Sequence, residues 1–302
     1  MADIREYRES DFEAVLSLLN RNTIYDSFSD HLLEEKLYKD PNWDMHLTQV
    51  AEKDGILIGF MQGVARNVRG TDIGYIKLMA VDDNYRRQGI ATRMYREIES
   101  RFLARGIHLV RIYDVPLNYF MPGIDPRYTA AVCFAERMGF RKTGEACNMR
   151  VNLGERDWDT AEAIHALGAD GIAITRAKKD DLPGILELLK KEWELWEHEV
   201  RTAMTMNPPA LFIAKKEGRI RAFSAYDGNN VGTGWFGPMG TDPSLRGKGI
   251  GSILLYLCLQ AMRDQGHHTS VIPWVEPVAF YSHYANAYID RVFWRYEKKL
   301  SG

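Results

Sequence analysis

The sequence has no long hydrophobic run. Its longest apolar stretch, near Ile253 to Leu259, falls well short of the roughly 20 residues that span a bilayer. The start, Met1-Ala2-Asp3-Ile4-Arg5-Glu6, lacks the apolar centre of a signal peptide. Neither sign of charge is in excess, the formal balance being −2, so no basic field argues for nucleic acid or an anionic membrane. Cysteine is scarce. Cys133, Cys147 and Cys258 are odd in number, lie in apolar surroundings and lack Cys-x-x-Cys spacing, which predicts three buried thiols and no disulfide framework. No His-Glu-x-x-His or other metal-ligand spacing occurs. These absences leave a cytoplasmic protein working on small molecules, with no metal, nucleic acid or membrane as partner.

What is present centres on Leu245-Arg246-Gly247-Lys248-Gly249-Ile250-Gly251, which closes a strand pattern and opens an apolar helix, Ser252 to Gln265. Glycines let a backbone approach a ligand with no Cβ in the way. The helix start adds unpaired N–H groups and the positive end of its dipole, and Arg246 and Lys248 add charge. Together they predict a phosphate site. The pattern Arg-x-x-Gly-x-Gly is neither the dinucleotide fingerprint nor the Walker loop, which ends in Gly-Lys-Ser or Gly-Lys-Thr.

The pattern occurs twice. Tyr85-Arg86-Arg87-Gln88-Gly89-Ile90-Ala91 lies 160 positions earlier, and the register holds from Asp82/Asp242 through Gly106/Gly266 to His108/His268. A second repeated segment opens each half. Ile4-Arg5-Glu6-Tyr7 precedes Ser10-Asp11, read as an N-cap, and a helix with Phe12, Val15, Leu16 and Leu19. Ile174-Thr175-Arg176-Ala177 precedes Asp180-Asp181 and Leu182, Ile185, Leu186 and Leu189. Duplication is the reading, with domains at 1–153 and 172–302 and a linker at 154–171 carrying one short helix. Each half alternates strands and helices, and Ile90, Met94, Ile98 and Phe102 form one helical stripe.

The doubled loop resembles the pyrophosphate loop of the acetyl-CoA-dependent N-acetyltransferases related to Gcn5, the GNAT superfamily. That resemblance implies an α/β fold with two tandem copies, each a mixed, mostly antiparallel sheet splayed near its middle and flanked by helices. Acetyl-CoA would be the cosubstrate. Its phosphates would meet Arg246, Gly247, Lys248, Gly249, Ile250 and Gly251 in the second copy, and Arg86, Arg87, Gln88, Gly89 and Ala91 in the first. Its pantetheine would run along the backbone of the strand holding Met239, Gly240 and Thr241, or Met79 and Val81. The family also carries a tyrosine that protonates the departing thiolate, in a Phe-Tyr pair shortly before Gly-Phe. Ala279-Phe280-Tyr281-Ser282-His283-Tyr284 places Tyr281 there, with Asn286-Ala287 where Gly-Phe is usual and Tyr284 in reserve. The first half reads Cys133-Phe134-Ala135 before Gly139-Phe140, so alanine stands where the acid belongs. Catalysis is therefore expected in the second half, with the first a scaffold or a weak CoA site.

A tyrosine, ordinarily near pKa 10, keeps its proton at neutral pH, whereas a thiol near 8.5 is the better leaving group. For a general base the second half offers Glu276, Asp227, Glu192, Glu197, His283 and Asp290. Glu276 is preferred because it follows a strand end. Trp235 and Trp274 lie nearest the expected thioester by chain position and are the expected lining for the acceptor. The layout, and Gly123-Ile124-Asp125-Pro126-Arg127-Tyr128, look most like the glucosaminide N-acetyltransferase type. The expected acceptor is a primary amine on a small molecule. A peptide or aminoglycoside amine is the alternative, and a non-catalytic acetyl-CoA sensor is the alternative of another class.

Overall fold

The computed structural model describes residues 2–301. In chain order it builds β1 (Asp3–Glu6), α1 (Phe12–Asn22), α2 (Asp30–Leu37), β2 (Thr48–Lys53), β3 (Ile56–Val68) and β4 (Thr71–Val81). Then come α3 (Ile90–Ala104), β5 (Leu109–Ile112), α4 (Thr129–Arg137), β6 (Arg141–Asn152) and α5 (Ala161–Ala169). The rest is β7 (Ile172–Arg176), α6 (Leu182–Glu192), α7 (Glu197–Thr205), β8 (Leu211–Lys216), β9 (Arg219–Tyr226) and β10 (Phe236–Thr241), followed by α8 (Ile250–Asp264), β11 (Thr269–Ile272), α9 (Val278–Ala285) and β12 (Tyr288–Lys299).

Two compact units result: Met1–Ala146 with Val292–Gly302, and Cys147–Arg291. They are not the consecutive stretches 1–153 and 172–302 that the repeat suggests. Unit 1 completes its sheet with the end of the chain, in the order β1-β2-β3-β4-β5, then the second half of β12, then the first half of β6. Tyr296 to Lys299 pair antiparallel with Ile112 to Leu109, and Phe293, Tyr296 and Leu300 are buried in unit 1's core. In unit 2, β10-β9-β8-β7 form one sheet, and β11 pairs antiparallel with the second half of β6. The expected linker is also part of this unit, because Trp158 is buried with its indole N–H on the Leu153 carbonyl at 2.9 Å, and Leu167 of α5 joins the core.

Each sheet is antiparallel except at one place. In unit 1, β4 and β5 run parallel only over Gly74–Ile76 and Val110–Ile112. In unit 2 the corresponding contact shrinks to a bridge between Trp235 and Val271. Beyond these rungs the strands part, leaving one edge of β4 and of β10 uncovered. The helix after each loop packs on the sheet with Ile90, Met94, Ile98 and Phe102 buried in unit 1, as the stripe predicts. Gly63 and Gly74 let α3 come that close, since a Cβ on either would sit 2.8 Å from Ile98 or Phe102.

Smaller expectations change. Asp11 does not cap α1 with its side chain; its carboxylate takes the Arg8 amide and the Arg5 guanidinium. Cys258 is buried, and burial lifts its thiol to about 12, but Cys133 is exposed because it lies off the face of α4 that carries Val132 and Ala135. No described helix is long and apolar enough to cross a membrane.

Candidate functional site

The two loops fold alike. A carboxylate at the strand end, Asp82 or Asp242, accepts from the amide two residues on and starts a short turn, Asp83–Tyr85 or Pro243–Leu245. The Ser244 hydroxyl and then its amide hold Asp242 down to about 2. Arg86 and Arg246 donate Nε to the carbonyls of Val81 and Thr241 at 3.1 and 3.2 Å, tying the loop to the strand it leaves. Gly89 and Gly249 take left-handed φ of 76° and 74° and turn the chain into α3 and α8. The second helix thus begins at Ile250, earlier than the expected Ser252, and Gly251 lies in its first turn.

The result is a row of unused donors. Among the described residues no protein acceptor takes the amides of residues 247–252, or those of 87–92; helical bonding resumes with Ile253 on Gly249 and Arg93 on Gly89. Successive N–H groups at a helix start form an anion seat. Space is available in unit 2, where a Cβ on Gly247 would meet nothing within 4 Å and one on Gly249 only Ser252 Oγ at 3.9 Å. Arg246 and Lys248 are exposed beside it; Lys248 also reaches Asp170 at 3.5 Å in an exposed pair. In unit 1 the position matching Gly247 is Arg87, held at φ 61°. These residues therefore fit the phosphate groups of a CoA-type ligand.

From the loop, the uncovered strand edge continues the row. The amides of Asp82 and Asp242 bond to Ile58 and Arg221 on the inner neighbour, so alternation turns the amides of Met79, Val81, Met239 and Thr241 outward, into the gap. An extended chain bearing amides, attached to the phosphates, would find main-chain partners there. Gly240 plays a different part from the expected one. Its amide turns toward β9, and a Cβ on it would lie 2.9 Å from the Trp193 ring, so glycine here makes room for the indole.

Tyr281 stands on α9 beside this gap. It is buried, packed edge-on against Phe236 and Phe280, and no described residue hydrogen-bonds its hydroxyl. Burial raises its pKa above the ordinary tyrosine value. Phe280 reaches back to the loop, 3.6 Å from where a Gly251 Cβ would be. The order half-buried Phe280 then buried Tyr281 matches half-buried Phe134 then buried Ala135 in unit 1, although the left-handed residue ending the helix falls one position later, at Asn286 against Gly139. Tyr284 is half-buried against Phe280 and His283, and its carbonyl accepts from the Tyr256 hydroxyl at 2.8 Å.

The carboxylates divide. Glu276 is exposed in the loop after β11, where its carbonyl accepts from the Val278 amide at 2.9 Å and its carboxylate has no hydrogen bond or ion pair among the described residues, and Glu192 is exposed at the end of α6. Glu197 pairs with Arg201 and Asp290 with Arg150. Asp227 is buried, accepting the Gly232 amide at 2.9 Å. Trp235 is buried at the last rung beside the gap. Trp274 is half-buried at φ 46°, its amide on Asn148 Oδ1 at 3.0 Å. Two features escape a reading of motifs alone. Trp193 and Trp196 stack at 5.7 Å against Phe223, next to Gly240. At the register of the repeat, Tyr113 follows β5 where Pro273 follows β11, a pairing that the 160-residue offset already contains.

Comparison with known proteins agrees with this layout. The sequence profile of the acetyltransferase (GNAT) family matches residues 4–140 and 182–286. An acetyltransferase of Pectobacterium atrosepticum is 33% identical over 113 residues, which cover 36% of this chain and 74% of that one. Among solved structures, the GCN5-related glucosamine N-acetyltransferase region of a fungal multi-domain GH3 β-N-acetylglucosaminidase superposes with a TM-score of 0.82 at 16% identity. The match covers 98% of this chain and 38% of the fungal chain. A tandem GNAT protein from the clavulanic acid biosynthesis pathway gives 0.73 at 14% identity, covering 100% and 99% of the two chains. A GCN5-related N-acetyltransferase from Sphaerobacter thermophilus gives 0.71 at 15%, covering 100% and 96%. At such identities the likeness is one of fold.

Proposed function

The chain belongs to the GNAT acetyltransferase family, and on that premise we propose that unit 2 moves an acetyl group from acetyl-CoA to a primary amine of a small molecule, with an amino sugar as the preferred class. The observation that carries this reading is the continuous row of uncommitted donors in unit 2, residues 247–252 and then Thr241 and Met239, ending near a buried tyrosine whose hydroxyl has no described protein partner. When bound, acetyl-CoA supplies an activated acyl thioester. The loop amides and Lys248 bind its phosphates. The outward amides of β10 hold its arm in an extended track. Tyr281, kept neutral by burial, donates its hydroxyl hydrogen to the departing sulfur. Glu276 is the carboxylate assigned to take the amine proton, and the half-buried Trp274, with Trp235 buried beside the gap, lines the place for a sugar ring or alkyl chain.

Unit 1 retains the loop but carries Ala135 in place of the acid, which supports a binding or scaffolding role there. An amino sugar is preferred because the fungal neighbour is described as a glucosamine N-acetyltransferase; a peptide or aminoglycoside amine is the competing acceptor. The test follows release of CoA thiol from acetyl-CoA with glucosamine, an aminoglycoside and a peptide amine. Release with glucosamine alone supports the reading. Release only with a peptide moves the acceptor class, and acetyl-CoA binding without release from any amine makes the protein a sensor.

A further inference from the structure

A short stretch of chain between β6 and α5 reaches the helix that carries Tyr281. α9 has only two turns, and a helix of that length keeps its place by tertiary contacts rather than by its own hydrogen bonding. The Arg156 guanidinium donates to the Tyr284 carbonyl in its last turn at 2.6 Å, and the Tyr256 hydroxyl of α8 donates to the same oxygen at 2.8 Å. The guanidinium lies against two rings, 5.1 Å from the centre of Trp158 and 4.8 Å from that of Tyr256. This strap is itself anchored: the Arg156 carbonyl accepts from Arg263 of α8 at 3.2 Å, and Trp158 is buried with its indole N–H on Leu153. A cation on a late carbonyl also suits the negative end of the helix dipole. Unit 1 lacks this grip. The residues matching Tyr284 and Tyr256 are Met138 and Arg96, and among the described residues no side chain donates to the carbonyl of Met138 or of its neighbour Arg137. α9 also runs further past Tyr281 than α4 does past Ala135.

We infer that Arg156 is a positioning residue for acetyl transfer in unit 2: it fixes the height and rotation of α9, and so the place of the Tyr281 hydroxyl, acting through the helix rather than on substrate. Tyr281 lies three residues before Tyr284, about 4.5 Å along the axis, and the rings of both meet Phe280. The end that Arg156 holds and the hydroxyl therefore move as one body. Catalysis by a positioned group is sensitive to such movement, since a misplacement of about 1 Å can cost about 100-fold in rate. The unit that has the tyrosine has the grip, and the unit with Ala135 has neither. This rests on the reading that Tyr281 is the acid.

Steady-state kinetics on the full chain, with acetyl-CoA and the amine that releases CoA thiol fastest, test it. Arg156 is exposed, so its truncation leaves the core of unit 2 in place. Arg156→Ala is expected to lower kcat about tenfold or more and to keep the acetyl-CoA KM within about twofold, because the contacts of Arg156 fall on α8, α9 and Trp158 and not on the phosphate loop. Arg156→Lys, which keeps a donor and the charge, regains at least half of that loss on a logarithmic scale. In a Tyr281→Phe chain, Arg156→Ala changes kcat less than about twofold, since no hydroxyl is left to place. A readout apart from activity is the fluorine resonance of Tyr281→3-fluorotyrosine, which shifts on Arg156→Ala and returns toward its place on Arg156→Lys. An equal fall in kcat with and without the Tyr281 hydroxyl overturns the inference, as does a loss confined to KM or an unmoved fluorine resonance. Full kcat in Tyr281→Phe alone, or no thiol release with any amine, overturns the proposed function instead, and the fluorine resonance then decides whether Arg156 holds Tyr281 in place.

Discussion

At the scale of single residues, Tyr281 is decided by what surrounds its hydroxyl. Tyr281→Phe keeps the packing on Phe236 and Phe280 and removes a group with no described protein partner, so neither stability nor acetyl-CoA affinity is expected to change. The loss falls on kcat, about 10² to 10⁴-fold for a general acid. Because burial raises the Tyr281 pKa, its deprotonation lies above about pH 10, the ordinary tyrosine value, and the variant lowers the kcat profile without reshaping it below that pH. Tyr284→Phe is the control. If it, rather than Tyr281→Phe, loses activity, the acid is the reserve residue. A second residue-scale prediction concerns a charge cluster in unit 1. Asp40 is fully buried. Burial opposes its ionisation, but Lys77 and Arg66 outweigh that and hold it below the usual carboxylate range. Lys77, also on the Lys36 carbonyl at 2.7 Å and Asn118 at 2.8 Å, is pushed down to about 7 by burial. Asp40→Asn leaves buried cations without their counter-ion and is expected to cost about 3–5 kcal/mol in urea denaturation. Lys77→Met costs less, since Arg66 still answers Asp40 and the lost charge was the one burial disfavours. A folded pKa below the unfolded one gives stability that is present above about pH 4 and lost as pH falls through the folded value, so the asparagine variant loses that part of the acid dependence.

At the scale of elements, the phosphate loops carry the next prediction. Gly249→Val forces a branched residue to φ 74° and confuses strain with ligand exclusion. Gly251 avoids this. Its φ is not left-handed, a Cβ there makes ordinary contacts at 3.5 and 3.6 Å with Met239 and Phe280, and unit 1 already has Ala91 at the matching position. Gly251→Val is expected to raise the acetyl-CoA KM tenfold or more in steady-state kinetics, and Ala91→Val in unit 1 to raise it less; equal effects would deny unit 2 its primacy. Much of this element was legible beforehand, because glycine spacing and a helix start state local backbone needs that neighbouring residues express. The Ile90 to Phe102 stripe was legible for the same reason. Less legible was the use of Gly240, whose missing side chain makes room for Trp193, the residue just after α6, and of Arg246, whose Nε ties down Thr241. Such roles depend on contacts remote in sequence. The exposed Cys133 belongs here too: apolar neighbours along the chain do not tell which face of α4 meets the core.

At the scale of the molecule, the repeat revealed duplication but concealed the exchange at its ends. Periodicity identifies β6 and β12 as strands, yet which strand each joins depends on pairing partners far along the chain. The expected boundary at residue 153 follows sequence order, whereas unit 1 needs residues 292–300 to complete its sheet. This makes the last prediction. A fragment of residues 1–153 lacks the strand that covers β5, and with it Phe293, Tyr296 and Leu300, all buried in unit 1. Each large apolar side chain contributes about 1.5–3 kcal/mol by burial, so their joint loss is comparable with the roughly 5–15 kcal/mol that holds a whole domain together. The fragment also exposes unpaired strand edges, which invite association. It is expected to lack a cooperative thermal transition and to aggregate, whereas residues 1–153 joined through a flexible linker to residues 288–302 regain the transition. A fragment that melts cooperatively without those residues would mean that β6 can fold back into the place of β12, and that the exchange is one of two arrangements open to the first half of the chain.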